Sequence, residues 1–294
     1  MTHTPRLTAL ALVATLPFAP LHGQVQTSAP PPASSSQAAQ PTSVVAPGIT
    51  PTTPSRHMAM SGYLPQAALP DSATILPPPP ATASLAQARD DEAAAAAVAQ
   101  QGSARWKLAV ADAELMAPDA IGAFSCAAGF DLGAQATPAI SALLRRAAAD
   151  IAISTFAAKR KYQRPRPFMV NGKPSCTPDM EPLLRRDGSY PSGHSALGYG
   201  EGLILAEVVP SRATALVARG KAFGDSRRLC NVHWLSDIEE GRIMASATLA
   251  RLHAEPAFQK DVAAARAEAD RILASGAKPG RDCAAETATL ATTR

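Results

Sequence analysis

The sequence predicts an all-α domain, a single bundle of packed helices with its working site at helix ends and loops. Alanine, the best helix former, is abundant, and aromatic residues make up only 4% of the 294-residue chain. β-Branched residues are not in excess, so sheets are not favoured. Apolar residues recur at helical spacing, as in Ile140, Leu143, Leu144, Ala147 and Ile151. The chain is long enough for one or two domains and a sizeable core. Its net charge of +4 is mild. The basic residues are neither interleaved with aromatics nor gathered into a stripe, so no nucleic-acid partner is expected.

Residues 1–23 read as a secretory signal. Arg6 precedes an apolar run over residues 7–16, which Pro17 interrupts. The run is too short to span a membrane, and no later stretch reaches that length. Residues 24–61 are Ser, Thr, Ala, Gln and Pro without a period, the composition of a disordered leader. Residues 62–283 are the expected folded domain, and 284–294 close a loose polar tail that starts near Lys278.

Within the domain, residues 62–82 are an extended, proline-rich arm lying along the surface. A helix is expected over 85–101 with Ser84 as its N-cap, a second over 105–115 and a third over 118–128. One long helix over 138–161 places Lys159 at its end. Arg166 lies just beyond, where flanking prolines disfavour a helix. Residues 168–190 form a loop long enough to be functional, one wall of a pocket mouth. A helix over 194–209 ends at Pro210. Ser211 caps the next, which stops near Phe223, where Gly224-Asp225 turns the chain. The last helices cover 233–253 and 255–275, the second stopped by Gly276.

The stretch from Lys159 to Asp237 holds three short blocks that together suggest a phosphoryl-group pocket. The first supplies Lys159 and Arg166. The second is Pro191-Ser192-Gly193-His194, and the third runs Ser226-Arg227 to His233 and Asp237. Arginine presents a planar fork that matches phosphate oxygens, and lysine adds a point charge. Pro191 and Ser192 suit a helix start, where free backbone N–H groups favour an anion and Gly193 permits close approach. His233 and Asp237 are four apart and on a helix would share a face. The carboxylate can hold one imidazole nitrogen as N–H and leave the other bare as a nucleophile. His194 can then protonate a leaving oxygen. The six histidines are His3, His22, His57, His194, His233 and His253. The first two fall in the expected signal, His57 in low-complexity sequence, and His253 at a helix C-terminus that favours a cation. His194 and His233 remain.

The pattern K-x6-R-P, P-S-G-H and S-R-x5-H-x3-D resembles the signature of the type 2 phosphatidic acid phosphatase and vanadium haloperoxidase superfamily. Within it, the chain is most similar to the bacterial class A non-specific acid phosphatases. Tyr162-Gln163-Arg164-Pro165-Arg166-Pro167-Phe168, Gly188-Ser189-Tyr190 and the proline cluster in residues 75–80 carry that likeness, which extends over about residues 62–283. The resemblance implies that His233 takes the phosphoryl group, Asp237 orients it, and His194 is general acid and then base. It implies that Lys159, Arg166, Ser192, Gly193 and Arg227 bind the phosphate oxygens. It implies no metal and no cofactor, vanadate as an inhibitor, small phosphate monoesters as substrates, a periplasmic destination and a homo-oligomer. Rival readings are a vanadate-dependent haloperoxidase, whose chains are usually longer, a non-catalytic phosphate binder and a lipid phosphatase.

The four cysteines, Cys126, Cys176, Cys230 and Cys283, suit two disulfides in an oxidising compartment. Cys126 with Cys230 and Cys176 with Cys283 are the expected pairs. Glu201 interrupts an apolar helix seven residues after His194. It is either an exposed or capped glutamate or a pocket group that raises the pKa of His194.

Overall fold

The computed structural model describes residues 61–292 except Met116 and Pro118. The expected signal and, save for Ser61, the expected leader lie outside them. Every regular element among the described residues is helical, as the composition predicts. The arm over residues 62–82 is extended apart from a 3-10 turn (Gln66–Ala68) and α1 (Ser72–Ile75). It lies along the domain: Tyr63 N and Leu64 N donate to the Asp150 carboxylate, and Tyr190 Oη donates to Pro77 O at 2.7 Å. Ser84 caps α2 (Leu85–Val98) by accepting from Gln87 N. Helix α3 is Ala104–Ala111. The expected third helix is shorter, a 3-10 turn (Ala120–Phe124) running into α4 (Ser125–Ala128). Gly129, at φ +89°, stops it.

The long helix expected over 138–161 is two, α5 (Pro138–Ser154) and α6 (Phe156–Tyr162). Hydroxyls of Ser154 and Thr155 donate to carbonyls three residues back, and that competition breaks the ladder at Thr155. The expected loop over 168–190 contains α7 (Pro167–Asn171) and α8 (Glu181–Leu184), each with proline in its first turn, where the missing N–H costs nothing.

Helix α9 (Gly193–Val208) is central and packs against α5, α10 (Ala213–Leu229), α11 (Leu235–Leu252) and α12 (Pro256–Ala274). Leu143, Ile151, Ile204, Leu205 and Phe258 are fully buried between them. Each contributes about 1.5–3 kcal/mol by leaving water. Ser211 does not cap α10; it sits in a 3-10 turn, and Arg212 precedes the helix without a side-chain cap. Nor does α10 stop near Phe223. Gly224 serves close packing rather than a turn, since a Cβ there would lie 3.1 Å from Ser195 Cβ. Gly220 works the same way, its absent Cβ falling 2.6 Å from Gly198 O. The two helices meet backbone to backbone, and α10 continues to carry Arg227 on its last turn. Gly220→Ala is therefore expected to cost about 1–3 kcal/mol, because backbone must move to admit the methyl. A urea unfolding midpoint unchanged by the substitution would contradict that packing.

The tail is not loose throughout. Residues Cys283–Ala291 form α13, started by Asp282 accepting from Ala285 N. The disulfides differ from those expected: Cys126 pairs with Cys283, and Cys176 with Cys230. The first pins α13 to α4. The second joins the α7–α8 wall to the turn after α10, where Cys176 N also donates to Cys230 O. Sequence order gives no hint of these juxtapositions. Among the described residues, no helix is long and apolar enough to cross a membrane.

Candidate active site

Lys159 comes from the last turn of α6, and Gln163 in the left-handed region ends that helix. Arg166 follows in extended conformation and precedes Pro167 at the first position of α7. Ser192 starts α9 by accepting from Ser195 N, and its own N–H donates to Asp237 O at 2.8 Å. That bond joins the starts of α9 and α11. Gly193 faces Lys159; a Cβ there would stand 4.0 Å from Lys159 Cε.

His233 does not lie on a helix with Asp237. It sits in the turn before α11, and Asp237 is the third residue of that helix. The pair nonetheless meets. Asp237 Oδ2 accepts from Trp234 N at 2.9 Å and lies 3.3 Å from His233 Nδ1. Arg166 Nη1 stands 3.0 Å from His233 Nε2. A guanidinium nitrogen can only donate, so Nε2 is the bare nitrogen and Nδ1 carries the hydrogen. The ring is buried, and its pKa falls well below the usual range through burial, then through Arg166, Lys159 and Arg227.

His194 is fixed in the opposite sense. Its Nε2 lies 3.1 Å from Ala113 O, a carbonyl that can only accept, so Nε2 bears the hydrogen and Nδ1 is free to exchange a proton. Burial, followed by the charge of Arg227, pushes its pKa well down. Of the two readings of Glu201, the one in which it raises this pKa finds no support. Seven residues are about 10 Å along a helix, and the leading influences on His194 are burial, Arg227, Ala113 O, His233 and Arg166. Glu201 itself is raised to about 7 by burial alone.

Three buried cations surround these rings. Lys159 Nζ donates to Gly188 O at 2.7 Å, and burial brings its pKa down to about 8. Arg166 donates from Nε to Leu184 O and from Nη1 to Val232 O. Arg227, lowered to about 10 by burial and then by Arg166, keeps Nε and Nη1 without a partner. Buried donors are almost always satisfied, so such a guanidinium is suited to an anion. The arrangement can hold a dianion against a bare imidazole nitrogen. Contacts and mutual electrostatic influence link Lys159, Arg166, Ser192, Gly193, His194, Arg227, His233 and Asp237.

The sequence reading missed the groups behind them. Arg164, two residues before Arg166 in the same motif, donates to Asp237 Oδ1 and to Asp90 Oδ2, both at 2.7 Å. Burial pushes the Asp237 carboxyl up, and Arg164 opposes that shift. Asp112 pairs with Arg219 and accepts from Ser226 Oγ at 2.6 Å, next to Arg227 and to Ala113. An aspartate in an Ala-rich helix carries no signal of such a partner.

The PAP2 superfamily model matches residues 139–257, which include every residue of the three blocks. An acid phosphatase of Zymomonas mobilis is 38% identical over 179 residues, covering 61% of this chain and 68% of the relative. A non-specific acid phosphatase of Salmonella typhimurium is 40% identical over 171 residues, 58% and 68% of the two chains. One of Providencia stuartii is 38% identical over 169 residues, 57% and 68%. The chain belongs to the PAP2 superfamily and, within it, to the bacterial non-specific acid phosphatases.

Proposed function

We propose that the chain hydrolyses small phosphate monoesters through a phosphohistidine at His233. The observation that supports this most is the bare Nε2 of His233 beside three buried cations, one with unpaired donors. The phosphate oxygens bind Lys159, Arg166, Arg227 and the start of α9 at Ser192 and Gly193. Nε2 attacks phosphorus as the bond to the leaving oxygen breaks, and that oxygen takes a proton from His194. Water then attacks phosphorus, gives its proton to His194, and the Nε2–P bond breaks to release inorganic phosphate. Asp237 stabilises the charge that forms on the His233 ring.

His194 is the acid through Nδ1, since its Nε2–H is held by Ala113 O. A bound dianion offsets Arg227 and Arg166 and lets that nitrogen hold its proton. The depressed pKa of His233 keeps the nucleophile unprotonated into acid solution. The two requirements together favour an acidic optimum. Because phosphate dominates binding, the alcohol can vary, and a second alcohol can replace water in the second step. Export to the periplasm and a homo-oligomeric state belong to the same reading, as does independence of metal and cofactor.

Hydrolysis of p-nitrophenyl phosphate after chelator treatment tests it, with acid-labile, base-stable labelling of His233 trapped during turnover. Turnover lost to the chelator, or label on another residue, would overturn it. Absence of turnover would direct attention to halide oxidation with vanadate.

One pH effect follows from Lys159. Above about 8 the free lysine loses its proton and its charge. Inhibition by inorganic phosphate is therefore expected to weaken as pH rises through that value. An inhibition constant flat across it would show that Lys159 does not contribute its charge to binding.

A further inference from the structure

We infer that Asp187 is a resident counter-charge that competes with phosphate for Lys159 and Arg166, and so sets the affinity of the site. The inference rests on the phosphate-binding reading above. Asp187 Oδ2 lies 3.4 Å from Lys159 Nζ and 3.2 Å from Arg166 Nη2. The remaining hydrogen-bond partners of those two cations are main-chain carbonyls of Gly188, Leu184, Asp187 and Val232 and the bare nitrogen of His233. None of these carries a full negative charge. Asp237 is engaged by Arg164. Asp187 is thus the carboxylate in ion-pair contact with both cations of the first block.

The exposures are unequal in an informative way. The Lys159 and Arg166 side chains are 6% and 2% exposed, whereas that of Asp187 is 53% exposed. The cations are fixed in the protein, and the anion sits at the rim on the short segment between α8 and Ser189. It can turn into water at little desolvation cost, while the cations cannot follow it. A phosphate dianion arriving at Lys159 and Arg166 needs the same donors and meets a like charge a few ångströms away. Arg227 differs: no carboxylate lies at ion-pair distance among the described residues. The substrate therefore meets one cation without a counter-ion and two that it must share or take over.

Such a device has a use. Every turnover leaves inorganic phosphate in a strongly cationic pocket, and a resident anion that returns to the cations lowers its retention. Binding that is equally strong for substrate, product and transition state adds nothing to turnover. The opposite role is a strut that holds Lys159 and Arg166 in place for phosphate. The two roles differ in sign, which makes the inference easy to break.

The test is calorimetric titration of inorganic phosphate into the wild-type chain and into Asp187→Asn, at mildly acidic pH and low ionic strength. Asparagine keeps the size and an acceptor oxygen but removes the charge. Removing one like charge at this range from a half-exposed site is expected to tighten phosphate binding about tenfold. Asp187→Ser, which removes charge and reach together, is expected to tighten it as well. The KM for p-nitrophenyl phosphate should fall alongside, and product inhibition should strengthen. Unchanged or weaker phosphate binding in both variants overturns the inference in favour of the strut. So does a failure of wild type and variants alike to bind phosphate. A wild-type chain that binds phosphate yet does not turn over would sink the hydrolytic reading alone and leave this comparison decisive.

Discussion

His233→Ala is expected to lower kcat by at least about 10⁴-fold while phosphate still binds. Lys159, Arg166 and Arg227 do not depend on the imidazole for their positions; Arg166 is tied to the carbonyls of Leu184 and Val232. The variant should therefore separate binding from chemistry, with inorganic phosphate still detected by calorimetry and no phosphoenzyme trapped. Asp237→Asn is expected to lose less, about 10²–10⁴-fold, since the ring remains but its charged state loses its carboxylate. Residual turnover of His233→Ala within tenfold of wild type would move the nucleophile elsewhere.

The residues of the candidate site were legible because the proposed chemistry requires particular residue types at particular spacings. Lys159, Arg166, His194, Arg227, His233 and Asp237 declared themselves as cations, imidazoles and a carboxylate in three blocks. The details of their placement were less legible. The four-residue interval between His233 and Asp237 suggested a shared helix face. The contact is instead made across the start of α11, with Trp234 N also bound by Asp237. Gly224 suggested a turn because glycine is permissive; the same lack of a side chain lets α10 pass close to Ser195 and continue. The disulfides depended on which loops meet, a tertiary fact that four cysteines cannot encode. Arg164 was visible only as part of a motif. Its partner Asp90 lies on α2, more than seventy residues away, and nothing local in either residue announces the other.

That pair supports the second large expectation. Arg164→Met should destabilise the fold by about 3–5 kcal/mol near neutral pH, because it strands two buried carboxylates. Asp90 and Asp237 are 2% and 0% exposed. Arg164 spans them, donates to Ser236 Oγ and Gln87 Oε1, and lies with its guanidinium carbon 5.2 Å from the Trp234 ring centroid. Methionine preserves much of the packing volume, so the loss reports charge rather than a cavity. The pH dependence tests that origin. Burial already pushes Asp237 up, and Arg164 is the largest opposing influence. Without it, the folded-state pKa of the Asp237 carboxyl rises further above its unfolded value. The unfolded state then binds fewer protons than the folded state between the unfolded and folded pKa of Asp237, so stability falls as pH rises through that window. The deficit of the variant relative to wild type should accordingly shrink in acid, where Asp237 becomes neutral, and Asp90→Asn in the Arg164→Met background should recover part of it by removing the second stranded charge. A deficit of constant size at every pH, measured by urea unfolding, would assign the cost to lost contacts with Trp234. Arg164 would then be a packing residue rather than the cation that keeps Asp237 ionised beside His233.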